Sequence, residues 1–231
     1  MDREIYVIMV AGGSGSRMGA NIPKQFLELG GRPILRRSIE LMTTALPKAK
    51  IITVLPQEYI PYWEDYCLRS NFSVPQMVVK GGITRFHSVK NALAKVPDGA
   101  IVAVHDAVRP LVSASLVQEL VNKAAECGSA IPVIPAVDTL RVLDNKDGEL
   151  RSVPETIDRT KIYAVQTPQV FYSEILSEAY NQAFDLAFTD DASVVEKNNK
   201  PLSYVLGERF NIKITTAEDL FLAEAVIQKQ D

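Results

Sequence analysis

The chain has 231 residues, 47% of them hydrophobic and 23% charged, with a net charge of −3. That length suits one large α/β domain or two small ones, and the acidic balance excludes general nucleic-acid binding, so any phosphate site must be local. No apolar run reaches the roughly 18 residues of a membrane span, no signal peptide precedes the first strand, and Cys67 and Cys127 form no Cys-x-x-Cys pair, so buried thiols in a soluble cytoplasmic protein are expected and no zinc site is readable.

The first apolar run, Ile5–Val10, predicts a buried strand. It leads into Val10-Ala11-Gly12-Gly13-Ser14-Gly15-Ser16-Arg17-Met18-Gly19, with Pro23-Lys24-Gln25 beyond. Successive backbone N–H groups in such a Gly-rich turn make an anion nest, and Arg17 and Lys24 bring two cations to it. A polyphosphate cradle is the functional reading; a surface loop with spare glycines is the plain one. A P-loop is excluded because the chain contains no Gly-Lys dipeptide. A dinucleotide fingerprint fails at Met18, where a third Gly should stand, and lacks the ribose-binding acid.

The pattern continues with a helix over residues 34–45, a strand at 51–55 and a helix at 58–69, whose Trp63 reads as packing. A strand at 76–80 ends at Gly81-Gly82, and a helix follows at 84–96. Strand 101–105 runs into Asp106-Ala107-Val108-Arg109-Pro110, then come a helix at 115–127 stopped by Gly128 and a strand at 130–134. The alternation implies right-handed βαβ units, and so a mostly parallel sheet with helices on both faces. Ligands of such sheets bind beyond the C-terminal strand ends. The Gly-rich loop, Gly81-Gly82-x-x-Arg85 and Asp106-x-x-Arg109 all fall there, which argues for one shared site.

After Ile134 the pattern breaks. Residues 139–143 and 149–153 alternate as a hairpin around a turn at 144–148. A lone hairpin is marginal in water, so it leans either on its own domain or on a second subunit. A strand at 165–170, bent at Pro168, precedes a helix at 173–184. Thr189-Asp190-Asp191 caps a helix at 192–197, short strands follow at 202–206 and 211–214, and a capping box at Thr216–Asp219 opens the last helix, 220–227. No repeat or linker is visible, so 1–231 reads as a single domain with 136–160 as a projecting β-arm. Asp106 is a loop cap or a Mg²⁺ ligand, His105 a structural or a functional residue, and Lys213, between Ile212 and Ile214, points to solvent or to a phosphate.

These motifs, together with Pro23-Lys24-Gln25-Phe26, Asp138-Thr139, Asp158-Arg159, Gln166-Thr167-Pro168-Gln169, Thr189-Asp190-Asp191-Ala192-Ser193 and Asn211-Ile212-Lys213-Ile214-Thr215, resemble the 2-C-methyl-D-erythritol 4-phosphate cytidylyltransferase family. The match spans nearly the whole chain. It implies a Rossmann-like α/β fold of nucleotidyltransferase type with a β-hairpin dimerisation arm. It also implies a homodimer and Mg²⁺-dependent transfer of CMP from CTP to methylerythritol phosphate. The resemblance assigns Arg17, Lys24 and Lys213 to catalysis. It assigns Ala11, Gly12, Gly13, Ser14, Gly15, Gly81, Gly82, Arg85, Ser88 and Ala107 to CTP. Asp106, Arg109, Thr139, Arg159, Thr167 and Thr189 are assigned to the polyol phosphate, with Asp106 also holding the metal. Ile83 stands where the family usually has an acid, so the reading of the base rests on backbone carbonyls and Ser88. Ribitol-5-phosphate cytidylyltransferases share the first half of these motifs, and a non-catalytic nucleotide sensor would share the fold.

Overall fold

Tyr6, Val7, Ile8 and Met9 are all buried, although successive strand residues point to opposite faces. The strand β1 (Ile5–Val10) must therefore be covered on both sides. The computed structural model describes residues 3–12, 22–154 and 156–229. Gly13, Ser14, Gly15 and Arg17 lie outside the described residues.

A small hairpin, β2 (Glu28–Leu29) and β3 (Arg32–Pro33), precedes α1 (Ile34–Ala45). Then follow β4 (Lys50–Leu55), α2 (Ile60–Arg69), β5 (Gln76–Lys80), α3 (Arg85–Leu93), β6 (Ile101–Asp106), α4 (Ala114–Cys127) and β7 (Ser129–Pro135). The second half holds β8 (Leu143–Lys146), β9 (Glu149–Ser152), β10 (Tyr163–Val165), β11 (Gln169–Tyr172), α5 (Ser173–Tyr180), α6 (Asp191–Lys197), β12 (Tyr204–Leu206) and α7 (Ala217–Ile227). The main sheet runs β10-β7-β11-β6-β1-β4-β5, with β12 also paired to β7. Strands β6, β1, β4 and β5 are parallel, whereas β11 is antiparallel to both β6 and β7.

Alternation along β1 divides the core. Val7 and Met9 pack with Leu35, Ile39 and Met42 of α1 and Leu116, Val117 and Leu120 of α4. Tyr6 and Ile8 pack on the other face with Phe86, Val89 and Leu93 of α3 and Leu176 and Ala179 of α5. A third cluster joins Leu29 and Ile34 to Val108, Ile214 and Ala223. It ties the chain after β6 to the segment before α7. Trp63 is fully buried and donates from Nε1 to Gln76 Oε1 at 3.0 Å, a packing role as expected.

Three expected strands change. The first arm strand is Leu143–Lys146, not 139–143, because Asp147 (φ 54°) and Gly148 (φ 85°) form the hairpin turn and thereby set the register, Lys146 opposite Glu149. All eight hairpin residues are exposed, and among the described residues the two strands pair only with each other. The expected strand 165–170 is two strands in different registers on β7, separated by Gln166-Thr167-Pro168. Residues 211–214 are not a strand. Asn211 is buried and donates from Nδ2 to Thr167 O, and Ile214 N bonds Val108 O, so side-chain anchoring replaces a ladder. The helix expected over 173–184 ends at Tyr180.

Candidate active site

The C-terminal ends of β1, β4, β5 and β6 are linked by hydrogen bonds that continue past the strands. Ala11 N donates to Val54 O, Gly81 N to Leu55 O and Ala107 N to Val10 O. Gln25 Nε2 then donates to Ala11 O at 2.7 Å, bringing the Lys24 turn back against the end of β1. These ends enclose a cleft of about 260 Å³ lined by Ala11, Gly12, Lys24, Gln25, Gly82, Ile83, Thr84, Arg85, Ser88, Asp106, Lys213 and Thr215, among others. A second cleft of about 580 Å³ adjoins it across Gly12, Gly82 and Ile83 and is lined also by Gly81 and Tyr59. Ile83 is 97% exposed at their shared rim.

Ser88 is buried beneath the glycines. Its Oγ accepts from Gly82 N at 3.0 Å and donates to Thr84 O at 2.9 Å. Thr84 in turn caps α3 by accepting from His87 N. A Cβ on Gly82 would lie 2.3 Å from His87 Cβ and 2.9 Å from the His87 carbonyl carbon. Gly82→Ala is expected to cost about 1–3 kcal/mol of stability, or to displace the loop. Urea denaturation together with CTP titration checks this, and a variant unchanged in both measurements would refute the close packing.

Asp106 is the centre of charge. Lys213 Nζ lies 2.8 Å from Oδ2, Arg109 Nε 3.7 Å from the same oxygen, and Arg85 Nε 3.5 Å from Oδ1. Burial would raise the Asp106 carboxyl, but Arg85, Lys213 and Arg109 outweigh it and hold the group far below the usual carboxylate range. Burial lowers Arg109. Burial alone would lower Arg85 as well, yet the Asp191 and Asp106 carboxylates hold it well above its ordinary value. Arg109 NH1 donates to Asn211 O at 2.7 Å, while its buried Nε makes no hydrogen bond.

Beneath Asp106 lies a bracket of neutral groups. Thr167 Oγ1 accepts from Asp106 N at 3.0 Å and lies 3.1 Å from His105 Nδ1. His105 Nε2 lies 3.0 Å from Arg109 O. A carbonyl only accepts, so Nε2 carries the proton, and Nδ1 accepts from the Thr167 hydroxyl. Burial pushes the His105 pKa down to about 4. His105 is thus a structural residue, and Thr167 supports the loop from within rather than lining the cleft.

Lys24, Arg85, Ser88, Asp106 and Lys213 therefore share one cleft with Ala11, Gly12 and Gly82, although they span positions 11 to 213. Ala107 is buried, its carbonyl accepting from Ser38 Oγ at 2.8 Å. Three further expected substrate residues do not line this cleft within the chain. Thr139 is exposed before the hairpin, Arg159 donates from NH1 to Val137 O at the hairpin's root, and Thr189 is exposed with its N–H on Ser193 Oγ. Thr215, Thr84 and Gln25 border the cleft without having been singled out as site residues. Gln25 was legible as part of the Pro-Lys-Gln turn. Thr215 is held by Asp219, which accepts from its N–H and Oγ1.

The 2-C-methyl-D-erythritol 4-phosphate cytidylyltransferase family model matches residues 5–229. The protein of that name from Phocaeicola vulgatus is 47% identical over 222 residues, which cover 96% of this chain and 99% of that one. The Bacteroides thetaiotaomicron protein is 45% identical, covering 96% and 98% respectively. The crystal structure of the Thermus thermophilus 2-C-methyl-D-erythritol 4-phosphate cytidylyltransferase superposes with a TM-score of 0.76 at 32% identity, over 97% of this chain and 99% of that one. A strand-end cleft built around one buried carboxylate and its cations, carried by a chain alike from end to end, places this protein in the 2-C-methyl-D-erythritol 4-phosphate cytidylyltransferase family.

Proposed function

We infer that the chain transfers a cytidylyl group from CTP to 2-C-methyl-D-erythritol 4-phosphate and releases pyrophosphate. The observation that carries this reading is a cleft lined by Lys24 in which Lys213, Arg85 and Arg109 surround ionised Asp106. A phosphate monoester has a second pKa of about 6, so the attacking oxygen is already ionised at neutral pH and needs no general base. Buried His105, committed to Thr167 and Arg109, supplies none. The difficulty is charge, since an anion must approach a triphosphate. Preorganised donors answer it. Lys24 and Lys213 neutralise the α-phosphoryl oxygens and the departing pyrophosphate, joined by Arg17 and the N–H groups of Gly13, Ser14 and Gly15.

A Mg²⁺ ion fits the donors. Among the described residues no group of three ligating side chains exists, but Mg²⁺ is commonly held by one or two carboxylates plus substrate phosphates. Asp106 is ionised, and its Oδ1 lies 3.5 Å from Arg85 Nε, a longer contact than the 2.8 Å from Lys213 Nζ to Oδ2. Asp106 would hold the ion beside the triphosphate, where it supplies Lewis-acid polarisation of a phosphoryl oxygen. Pyrophosphate release from CTP with methylerythritol phosphate tests the reading. Turnover of ribitol 5-phosphate instead would change the acceptor, and CTP binding without turnover of either would make the chain a nucleotide sensor.

The proposed working unit is a homodimer of single-domain subunits, with 136–160 as the arm. Leu143 and Leu150 project from one face of the hairpin and are exposed, as are Tyr163, Val165, Tyr204 and Leu206 on the neighbouring sheet edge. A second copy covers these groups and brings Thr139 and Arg159 to the partner's acceptor pocket, where Arg suits a phosphate. Mixing Arg159→Ala with Lys24→Ala protein is expected to restore up to about a quarter of wild-type activity, from heterodimers with one intact site. No recovery after demonstrated subunit exchange would remove the shared site. No described helix is long and apolar enough to cross a membrane.

A further inference from the structure

Arg85 is the first residue of α3, where the helix dipole disfavours a cation. What holds it there comes from a helix more than a hundred residues away. Arg85 NH1 donates to Asp191 Oδ1 at 3.0 Å and NH2 to Oδ2 at 2.6 Å, a two-pronged pair. Asp191 is fully buried, and Tyr180 Oη donates to its Oδ1 at 2.7 Å. Tyr180 is itself fixed by stacking on Phe86, ring centroids 4.7 Å apart. With both prongs taken, Arg85 offers Asp106 only its Nε edge at 3.5 Å, and Lys213 holds the closest contact to that carboxylate at 2.8 Å.

We propose that Asp191 is a positioning residue for cytidylyl transfer, occupying the Arg85 fork so that Asp106 remains paired with Lys213. Without the Asp191 charge, the nearest carboxylate for Arg85 is Asp106. A guanidinium closing on it with two prongs displaces the Lys213 ammonium from the cleft. The inference rests on the cytidylyl-transfer reading for its kinetic consequence, but the rearrangement itself does not depend on that reading.

The test compares Asp191→Asn, Arg85→Met/Asp191→Asn and wild type. Asp191→Asn keeps an acceptor for Tyr180 and removes the charge. It is expected to lower kcat by about 10–100-fold, the cost of displacing a reacting group by about 1 Å, with a much smaller change in KM for CTP. In the double variant the Arg85 guanidinium no longer competes for Asp106, so kcat at saturating CTP is expected to rise several-fold above the single variant, even if KM rises. A merely structural Asp191 predicts no such recovery. Melting curves confirm that both variants fold, and Asp191→Ala, which also removes the charge, is the reserve if Asp191→Asn does not. A crystal structure of the single variant is expected to show the Arg85 fork on Asp106. Arg85 unmoved there, or a double variant no faster than the single one, overturns the proposal. Wild-type protein without turnover would sink the functional reading instead, leaving the crystallographic arm to decide this one.

Discussion

Lys213→Ala is expected to lower kcat/KM by on the order of 10²–10³, equivalent to about 2.7–4 kcal/mol of transition-state stabilisation. The ammonium projects into the cleft at 2.8 Å from Asp106, yet its backbone is held by other groups. Ile214 is fully buried and its N–H bonds Val108 O at 2.9 Å, while Asp219 fixes the next turn through Thr215 and Thr216. Alanine therefore removes the charge without removing the anchor, and the melting temperature is expected to move by no more than about 4 °C, roughly 1 kcal/mol at this chain length. Lys213→Arg keeps the charge but presents a fork that pairs with Asp106 in two places, so it should recover only part of the rate. Initial rates of pyrophosphate release at varied CTP and saturating acceptor give kcat/KM for the comparison. A loss below about threefold would show that Lys213 does not stabilise the charge developing in the reaction.

Acidification is expected to destabilise the fold through His105. Its unfolded pKa is about 6.5, and its folded value is about 4. Between those values the unfolded chain binds a proton that the folded chain refuses, so stability falls as pH drops through the window. The slope from this residue is about 1.4 kcal/mol per pH unit and the total about 3 kcal/mol. Below the window its contribution is constant. Asp106 then takes over: its folded carboxyl is depressed, so its stabilisation is complete above the ordinary Asp range and is lost only as pH falls further. The physical obstacle at His105 is specific. The imidazole is fully buried, so a charged ring would lose its hydration, and the Asp106 charge beside it only partly offsets that loss. Urea denaturation of wild type and His105→Gln from pH 7.5 to 4 isolates the effect. The variant should be less stable at neutral pH but flatter between pH 6.5 and 4, by about 1 kcal/mol per unit. Parallel profiles would show that another group carries the acid sensitivity.

Much of the parallel half was legible because its signals are local. The apolar runs at Ile5–Val10 and Gln76–Lys80 and the amphipathic period of Ile34–Ala45 coincide with β1, β5 and α1. Asp106 could be expected near the Gly-rich loops because parallel strands deliver their C-terminal ends to one edge. The antiparallel strands β10 and β11 resisted, since their register depends on β7 and on buried Gln166 and Thr167 rather than on their own alternation. The arm register was misread for a related reason. Alternation extends through residues 139–143, but positive φ at Asp147 and Gly148 decides which residues pair.

By itself the sequence determined the α/β class, the strand-end location of the chemistry and the residue types gathered there, because hydrophobic period and glycine placement act over a few residues. Only the tertiary structure decided which charges meet. Asp106 could bind a metal, cap a loop or pair with a cation, and the cleft surrounds it with Arg85, Arg109 and Lys213. Asp191 reads as a helix-capping residue until α6 is packed against α3, when it becomes the buried partner of Arg85. Such pairings follow from distances between segments remote in the chain, and an ion pair's strength depends on the separation and burial that only folding sets.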